Sequence, residues 1–164
     1  MTEDVEFEED LKMPRIPIAA SLIALVGLAD SVYLTASHYT SEPVPCSLIE
    51  GCEKVLNSEF AVIGDVPIAA LGALAYFAAF SLALLTAFHY PRTWQLFGLL
   101  TAAMAAASLW LIYLQVFVIG AICQFCMISA LSSITLFVLF AVSYFLSRGK
   151  KLVSAESDET AIAN

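Results

Sequence analysis

Charged residues are scarce in this sequence. They make up 13% of the 164 residues, whereas hydrophobic residues make up 60%, and the mean hydropathy is +0.85. A soluble domain carries about 25% charged residues, so this composition excludes a water-soluble globular protein and indicates an integral membrane protein in a lipid bilayer. The formal net charge of −8 is no sign of a cationic partner, and no nucleic acid is expected to bind.

Acidic residues are concentrated at the start of the chain, where six of the first ten residues are Asp or Glu. The segment 1–13 is predicted to be a disordered acidic tail, and 149–164 is predicted to be a polar C-terminal tail. The sequence has no evident cleavable signal peptide, internal repeat or low-complexity tract. Residues 14–148 are expected to form one transmembrane domain.

Long apolar runs fill the interval between the two tails. A membrane-spanning helix needs about 20 apolar residues, and a lone strand would leave its backbone polar groups unpaired in lipid, so these runs predict helices. The connection after the first run is long, whereas Gly120–Ala121 is a tight turn that folds the last run back on the one before it. The predicted spans are 16–39, 66–88, 95–119 and 122–146.

Basic residues indicate the orientation of the four spans. Six of the seven fall on one side of the membrane, and Lys54 falls on the other. The positive-inside rule then predicts that both termini are cytoplasmic. The predicted fold class is an all-α integral membrane protein of the inner (plasma) membrane. It is a four-transmembrane-helix bundle with a long extracytoplasmic loop, Thr40–Asp65, between helices 1 and 2.

The four cysteines all fall on the outer side of this bundle, where disulfides persist. Cys46 and Cys52 lie in the long loop, and Cys123 and Cys126 form a Cys-x-x-Cys motif in the first turn of the fourth span. Free backbone N–H groups and the positive end of the helix dipole favour a thiolate there. Two pairs on one face indicate a thiol–disulfide relay that faces a membrane-soluble oxidant.

Two other interpretations of the cysteines stay open, and both describe a non-enzymatic membrane scaffold. The cysteines could form structural disulfides that staple the loop, or they could hold a zinc ion. A metal is disfavoured because apolar Phe125 and Ile122 surround the Cys-x-x-Cys pair and no histidine accompanies it. No metal site is therefore expected.

Several further segments complete a family pattern over Pro14–Ser147. With them the chain resembles the vitamin K epoxide reductase family in its bacterial single-domain form. The cysteine order is part of the resemblance, since the unrelated disulfide-bond-forming membrane protein B carries its Cys-x-x-Cys in the first outer loop. The matching segments are Gly27–Thr35 (GLADSVYLT), Cys46-x5-Cys52, Val55–Ser58 (VLNS), Pro67–Gly72 (PIAALG) and Cys123-x-x-Cys126.

The resemblance implies a role for each cysteine. Cys126 would lie nearest a quinone, Cys123 would exchange with Cys52, and Cys46 would receive electrons from a partner's dithiol. Ser58 matches a loop serine that lies near the active centre in the family. The place of a tyrosine found in animal members is taken by Ala130, which favours quinone reduction over epoxide chemistry.

The resemblance also implies an electron acceptor and a partner. The acceptor would be a membrane quinone, either ubiquinone or menaquinone, held against Cys126 in an apolar pocket where Phe125 and Ile122 exclude water. Many bacterial relatives continue into a thioredoxin-like domain and this chain does not. The expected partner is therefore a separate periplasmic thioredoxin-fold protein of the DsbA type.

The predicted function is that of a membrane thiol oxidase that drives disulfide formation in exported proteins. The alternative enzymatic task is the reduction of a quinone or quinone epoxide for its own sake.

Two other features bear on this chemistry. Asp30 is an acid within the first span, and it is predicted either to supply a proton to the quinone or to be protonated and hydrogen-bonded to a neighbour such as Tyr33, Tyr113 or Gln115. The segment Glu53–Val62 is predicted to be either a plain surface loop or a short helix that lies along the membrane surface. In the second case its apolar residues would cover the quinone pocket like a lid; they are Val55, Leu56, Phe60 and Ala61.

Overall fold

Helices dominate the part of the chain that this computed structural model describes, namely residues 15–40, 44, 51–88 and 91–162. A π-helix, Leu114–Ile119, continues the helix Pro91–Tyr113, and a 3-10 turn, Glu59–Ala61, follows the short helix Cys52–Leu56. Two short strands, β1 (Val62–Ile63) and β2 (Val66–Pro67), pair antiparallel. The α-helices are α1 (Arg15–Thr40), α2 (Cys52–Leu56), α3 (Ile68–Ala87), α4 (Pro91–Tyr113) and α5 (Gln124–Ile162).

Four of these elements are long and apolar enough to cross a membrane, which confirms the predicted four-helix membrane fold. They are Arg15–Thr40, Ile68–Ala87, Thr93–Ile119 and Gln124–Ser147. Within the described residues, the helix boundaries differ from the sequence prediction by a few positions. Helix α4 begins at Pro91 rather than at residue 95, because proline lacks an N–H that the first turn of a helix would leave unpaired in any case.

The two predicted tails have different outcomes. Helix α5 continues to Ile162, so most of the segment 149–164 is helical. The acidic segment 1–13 lies outside the described residues, as does Cys46.

Small side chains allow the first two membrane helices to approach closely. The most extensive contact of α1 is with α3. The buried face of α1 includes Ala20, Ser21, Ala24, Gly27 and Ser31. Such residues let helix backbones come together in lipid, where packing rather than the hydrophobic effect holds helices to one another. Helix α5 packs on both α1 and α4 and so closes the bundle.

The predicted fold-back at Gly120 is present. The π-helix ends at Ile119, and Gly120 adopts the left-handed conformation with φ 62°. Glycine reaches this region without the steric cost that a Cβ imposes. The chain then leads directly through Cys123 into α5, so the Cys-x-x-Cys motif lies at the end of the bundle where α2 also packs.

Candidate redox site

Cys52 and Cys123 belong to one buried cluster at this end of the bundle. Cys52 is the first residue of α2, is 1% exposed, and takes part in a disulfide bond. Cys123 is 0% exposed, and Val55 is the third buried member of the cluster. The residues around them are apolar, so sulfur atoms that are far apart in the sequence share one dry environment.

A glycine brings the loop against the turn. A Cβ at Gly51 would collide with the carbonyl oxygen of Ile122. No side chain fits that space, so the backbone beside Cys52 contacts the backbone beside Cys123 directly. The loop and the Cys-x-x-Cys turn are thereby held in mutual contact.

Cys123 and Cys126 are free thiols that interact with each other. Cys123 immediately precedes α5, and the backbone N–H of Cys126 donates a hydrogen bond to the Cys123 Sγ over 3.4 Å. The side-chain hydrogen bond from Cys126 lowers the pKa of Cys123 from 9.0 to about 7, and backbone N–H groups of Cys126 and Phe125 act in the same direction. Burial and the nearby Asp30 carboxylate oppose this shift in pKa.

The lowered pKa predicts a measurable thiolate at neutral pH. At pH 7 roughly half of Cys123 is expected to be ionised, compared with about 1% for a thiol with a pKa of 9. Because the hydrogen bond from Cys126 is the largest cause, Cys126→Ala should move the midpoint of the Cys123 titration upward, and thiolate at pH 7 should fall. Cys126→Ser keeps a hydroxyl donor and should retain part of the shift. Thiolate absorbance near 240 nm, followed against pH, measures both midpoints, and equal midpoints in the two variants would contradict this cause.

A cavity of about 710 Å³ lies beside the Cys-x-x-Cys motif, and its wall is mostly apolar. Cys126 is on this wall, with residues of α1, α3, α4 and α5. The segment after Cys52 covers part of the cavity as a short helix and a 3-10 turn, rather than as the single surface helix considered above. All four apolar residues of the predicted lid line the cavity; they are Val55, Leu56, Phe60 and Ala61.

The other residues singled out from the sequence lie at different places. Ser58 lines the cavity, and its hydroxyl donates to the Val55 carbonyl at 2.6 Å. Phe125 is outside the cavity wall and packs its ring on Tyr33, with centroids 5.4 Å apart. Ile122 is also outside this wall, in the turn against Gly51.

Asp30 lies on α1 outside the cavity wall. Its Oδ2 is buried and has no hydrogen-bond partner among the described residues, so none of the partners considered for it binds this oxygen. The carboxylate of Asp30 nevertheless acts on the pKa of Cys123. Asp30 is therefore an electrostatic neighbour of the Cys-x-x-Cys motif.

Two polar residues that sequence reasoning did not place in the site lie on the cavity wall. Tyr76 on α3 donates its hydroxyl to the Ser129 carbonyl and accepts from the Ser129 hydroxyl. Gln115 accepts a hydrogen bond from the Cys123 N–H through its side-chain oxygen, over 3.0 Å. The signal for Gln115 was available, since a polar amide inside an apolar span is costly unless it has a partner.

This fold and this site define a class of protein: a membrane-embedded thiol redox protein with a Cys-x-x-Cys turn beside an apolar cavity. The chain belongs to the vitamin K epoxide reductase family, whose profile matches residues 18–141. The chain is also 32% identical over 121 residues to the thiol-disulfide oxidoreductase LTO1 of Arabidopsis thaliana. The match covers 68% of this chain and 32% of that relative, so the chain corresponds to about a third of its length. Family and relative together support a redox role in disulfide chemistry.

Proposed function

We propose that this protein is a membrane thiol oxidase that passes electrons from a thioredoxin-fold dithiol through Cys46 and Cys52 to Cys123 and Cys126, and from there to a membrane quinone. One observation carries the proposal. Cys52 and Cys123 share a buried cluster, while Cys126 opens on the apolar cavity. This arrangement supports a path in which electrons enter on one side of the Cys-x-x-Cys motif and leave on the other.

The first half of the proposed reaction is thiol–disulfide exchange. The partner's dithiol reduces the disulfide between Cys46 and Cys52, and its own two thiols become a disulfide. The Cys52 thiolate then attacks the Cys123 sulfur of an oxidised Cys123–Cys126 pair, and Cys126 leaves as a thiolate. Cys46 attacks Cys52 in turn, which restores the loop disulfide and releases Cys123. The pKa of Cys123 near 7 favours this last step, because a thiol of lower pKa leaves faster.

The second half returns the Cys-x-x-Cys pair to its disulfide. Closing the bond between Cys123 and Cys126 releases two electrons and two protons, which together convert a quinone to a quinol. The apolar residues of the cavity wall would hold the ring and exclude water, and the lid residues would close the outer side. Phe125 packs against the cysteine cluster and would keep the turn that bears the thiols dry from the side away from the cavity. Ile122, whose side chain is exposed, would contribute through its backbone contact with Gly51.

Asp30 and Ser58 have supporting roles in this proposal. A buried carboxyl oxygen with no partner among the described residues is costly in a membrane helix, and it is a natural place to hold a proton beside the thiols. Asp30 would take up or return protons as the pair opens and closes. Ser58 would fix the lid, because its hydroxyl is bonded to the α2 backbone within the cavity wall.

The disulfide at Cys52 also bears on the scaffold alternatives. A cysteine in a disulfide offers no thiolate to a metal, so this redox state disfavours a four-cysteine zinc site. The free Cys123 and Cys126 equally disfavour two permanent structural disulfides. We place the cysteine end of the bundle on the extracytoplasmic side of the plasma membrane, because the basic residues predict that orientation.

Quinone-dependent oxidation of a protein dithiol tests this function. The purified chain in detergent or nanodiscs is mixed with menaquinone or ubiquinone and a reduced thioredoxin-fold protein. One quinone should disappear for every two protein thiols lost, as measured by quinone absorbance and by a thiol reagent. Cys52→Ser should lower the rate by at least about 100-fold. Thiol loss that continues unchanged without quinone would refute the proposed acceptor.

A further inference from the structure

The side chain of Gln115 is held in one orientation by the Cys-x-x-Cys turn. Gln115 is 4% exposed and lies in the first turn of the π-helix. Its Oε1 accepts the backbone N–H of Cys123 over 3.0 Å. Its backbone carbonyl accepts the N–H groups of Gly120 and Ala121. Because a backbone N–H can only donate, the atom that faces Cys123 must be the amide oxygen. The NH2 group must therefore point the other way.

The NH2 group of Gln115 is an uncommitted donor. An amide has two N–H donors, and among the described residues neither has a protein partner, while Gln115 itself lines the cavity. Four hydroxyls on the wall already have hydrogen-bond partners. Tyr76 and Ser129 bond each other, and Ser108 bonds Ser133, whose hydroxyl also reaches the Ala130 carbonyl. Gln115 thus offers hydrogen-bond donors to whatever fills this part of the cavity.

Gln115 and Cys126 both form a hydrogen bond with Cys123. The side chain of Gln115 binds the Cys123 N–H, and the N–H of Cys126 reaches the Cys123 Sγ. Both Gln115 and Cys126 are on the cavity wall. A flat ring that fills this part of the cavity can therefore contact both residues.

We propose that the Nε2 of Gln115 donates a hydrogen bond to one carbonyl oxygen of the quinone and thereby orients the ring toward Cys126. This inference rests on the proposed function and adds a recognition residue to it. The carbonyl oxygen gains electron density as the two electrons arrive, and a fixed donor stabilises that charge. The two protons that complete the quinol come from the thiols and, where Cys123 is already a thiolate, from the proton held at Asp30, and Gln115 keeps its own. The expected ligand is therefore a ring that carries a carbonyl acceptor. An apolar ring of the same size cannot form this hydrogen bond and should bind more weakly.

Gln115→Glu separates the two functions of the side chain. A glutamate keeps an oxygen for the Cys123 N–H, but its ionised form has no donor for the quinone. The measurement is made in a Cys126→Ser background, where no disulfide can close and bound quinone is not turned over. We expect binding to weaken by roughly 10-fold at high pH and to recover on acidification, when the protonated carboxyl regains a donor. Gln95→Glu is the matched control, because Gln95 is an exposed glutamine at the opposite end of the same helix. The affinity of this variant for quinone should not change.

The quinone itself provides a readout that does not depend on activity. In quinone labelled with carbon-13 at its carbonyls, infrared difference spectra should show one carbonyl stretch shifted to lower frequency beside Gln115. This shift should be lost in Gln115→Glu at high pH and retained in Gln95→Glu. Protection of the Cys123 amide from hydrogen exchange should persist in Gln115→Glu and so show that the turn is intact.

The possible outcomes separate this inference from the proposed function. Absence of quinone binding when Gln115 is intact would refute the proposed function. Binding with equal affinity and identical carbonyl bands in Gln115→Glu at high pH would overturn the role of Gln115 alone. If the Cys-x-x-Cys turn opens in Gln115→Glu, the inference is tested instead on the protein that keeps Gln115. Its Nε2 proton resonances, identified by their loss in Gln115→Leu, should move on addition of quinone, and resonances that stay in place would overturn the inference.

Discussion

Replacing Cys126 by serine is expected to reduce quinone-dependent thiol oxidation by at least about 1000-fold while the fold is retained. Cys126 lies on the cavity wall and is the sulfur proposed to react with the quinone, and removal of a nucleophile typically costs this much or more. Serine has nearly the same volume, so the packing of the motif should survive. The rate is measured by quinone absorbance, with thermal unfolding as the measure of fold.

The control for this prediction is the adjacent position. Met127 is partly exposed and lies outside the cavity wall, so Met127→Leu should oxidise thiols at the rate of the unsubstituted protein. A structural role for Cys126 would give the opposite pattern. Cys126→Ser would then unfold at a clearly lower temperature, and whatever remained folded would still reduce quinone.

The second large effect is expected at a residue with no redox chemistry. Gly51→Val should slow electron transfer from a protein dithiol to the quinone by at least about 100-fold, because any side chain at this position collides with the Ile122 backbone. The clash moves Cys52 away from Cys123, and sulfur atoms that cannot meet do not exchange. The exchange is measured as the rate at which the reduced partner protein loses its thiols.

Direct oxidation of the Cys-x-x-Cys pair distinguishes this uncoupling from a general loss of structure. In Gly51→Val that has been fully reduced and then mixed with quinone, closure of the Cys123–Cys126 disulfide should remain fast. Gly64→Asn serves as the loop control, since Gly64 has open space around it and asparagine tolerates its positive φ. A Gly51→Val protein that oxidises the partner at the normal rate would show that the contact at Ile122 does not govern exchange.

Much of the fold was predictable because hydropathy and turn signals are local properties of a sequence. Four apolar runs predicted four spans, and Gly120 predicted the fold-back that brings the last two together. The Cys-x-x-Cys motif was predicted at a helix start, and the helix begins one residue after Cys123. The lid segment was harder, because its 3-10 turn and hairpin are too short to leave a periodic pattern.

The internal polar contacts could not be derived from the sequence. Asp30 was expected to bond Tyr33, Tyr113 or Gln115 in one of two interpretations. Its Oδ2 has no partner in the part of the chain that the structure describes, and Gln115 bonds the Cys123 N–H instead. These pairings depend on helix rotation and on distances between spans, which hydropathy leaves free. The position of Phe125 is another example, because its ring turns toward Tyr33 rather than toward the cavity.

The π-helix at Leu114–Ile119 makes the length of the segment before the Cys-x-x-Cys turn as important as its sequence. A π segment contains one more residue than the α-helical turns that would fill the same length. A further residue inserted there would turn everything after the segment by about 100°, whereas a deletion would restore α-helical hydrogen bonding and remove the wide turn that carries Gln115. With an insertion, the amide of Gln115 would face away from Cys123. The eight-residue interval from Gln115 to Cys123 sets whether the Gln115 side chain can reach the Cys123 N–H. This part of the chain should therefore tolerate substitutions far more readily than insertions or deletions.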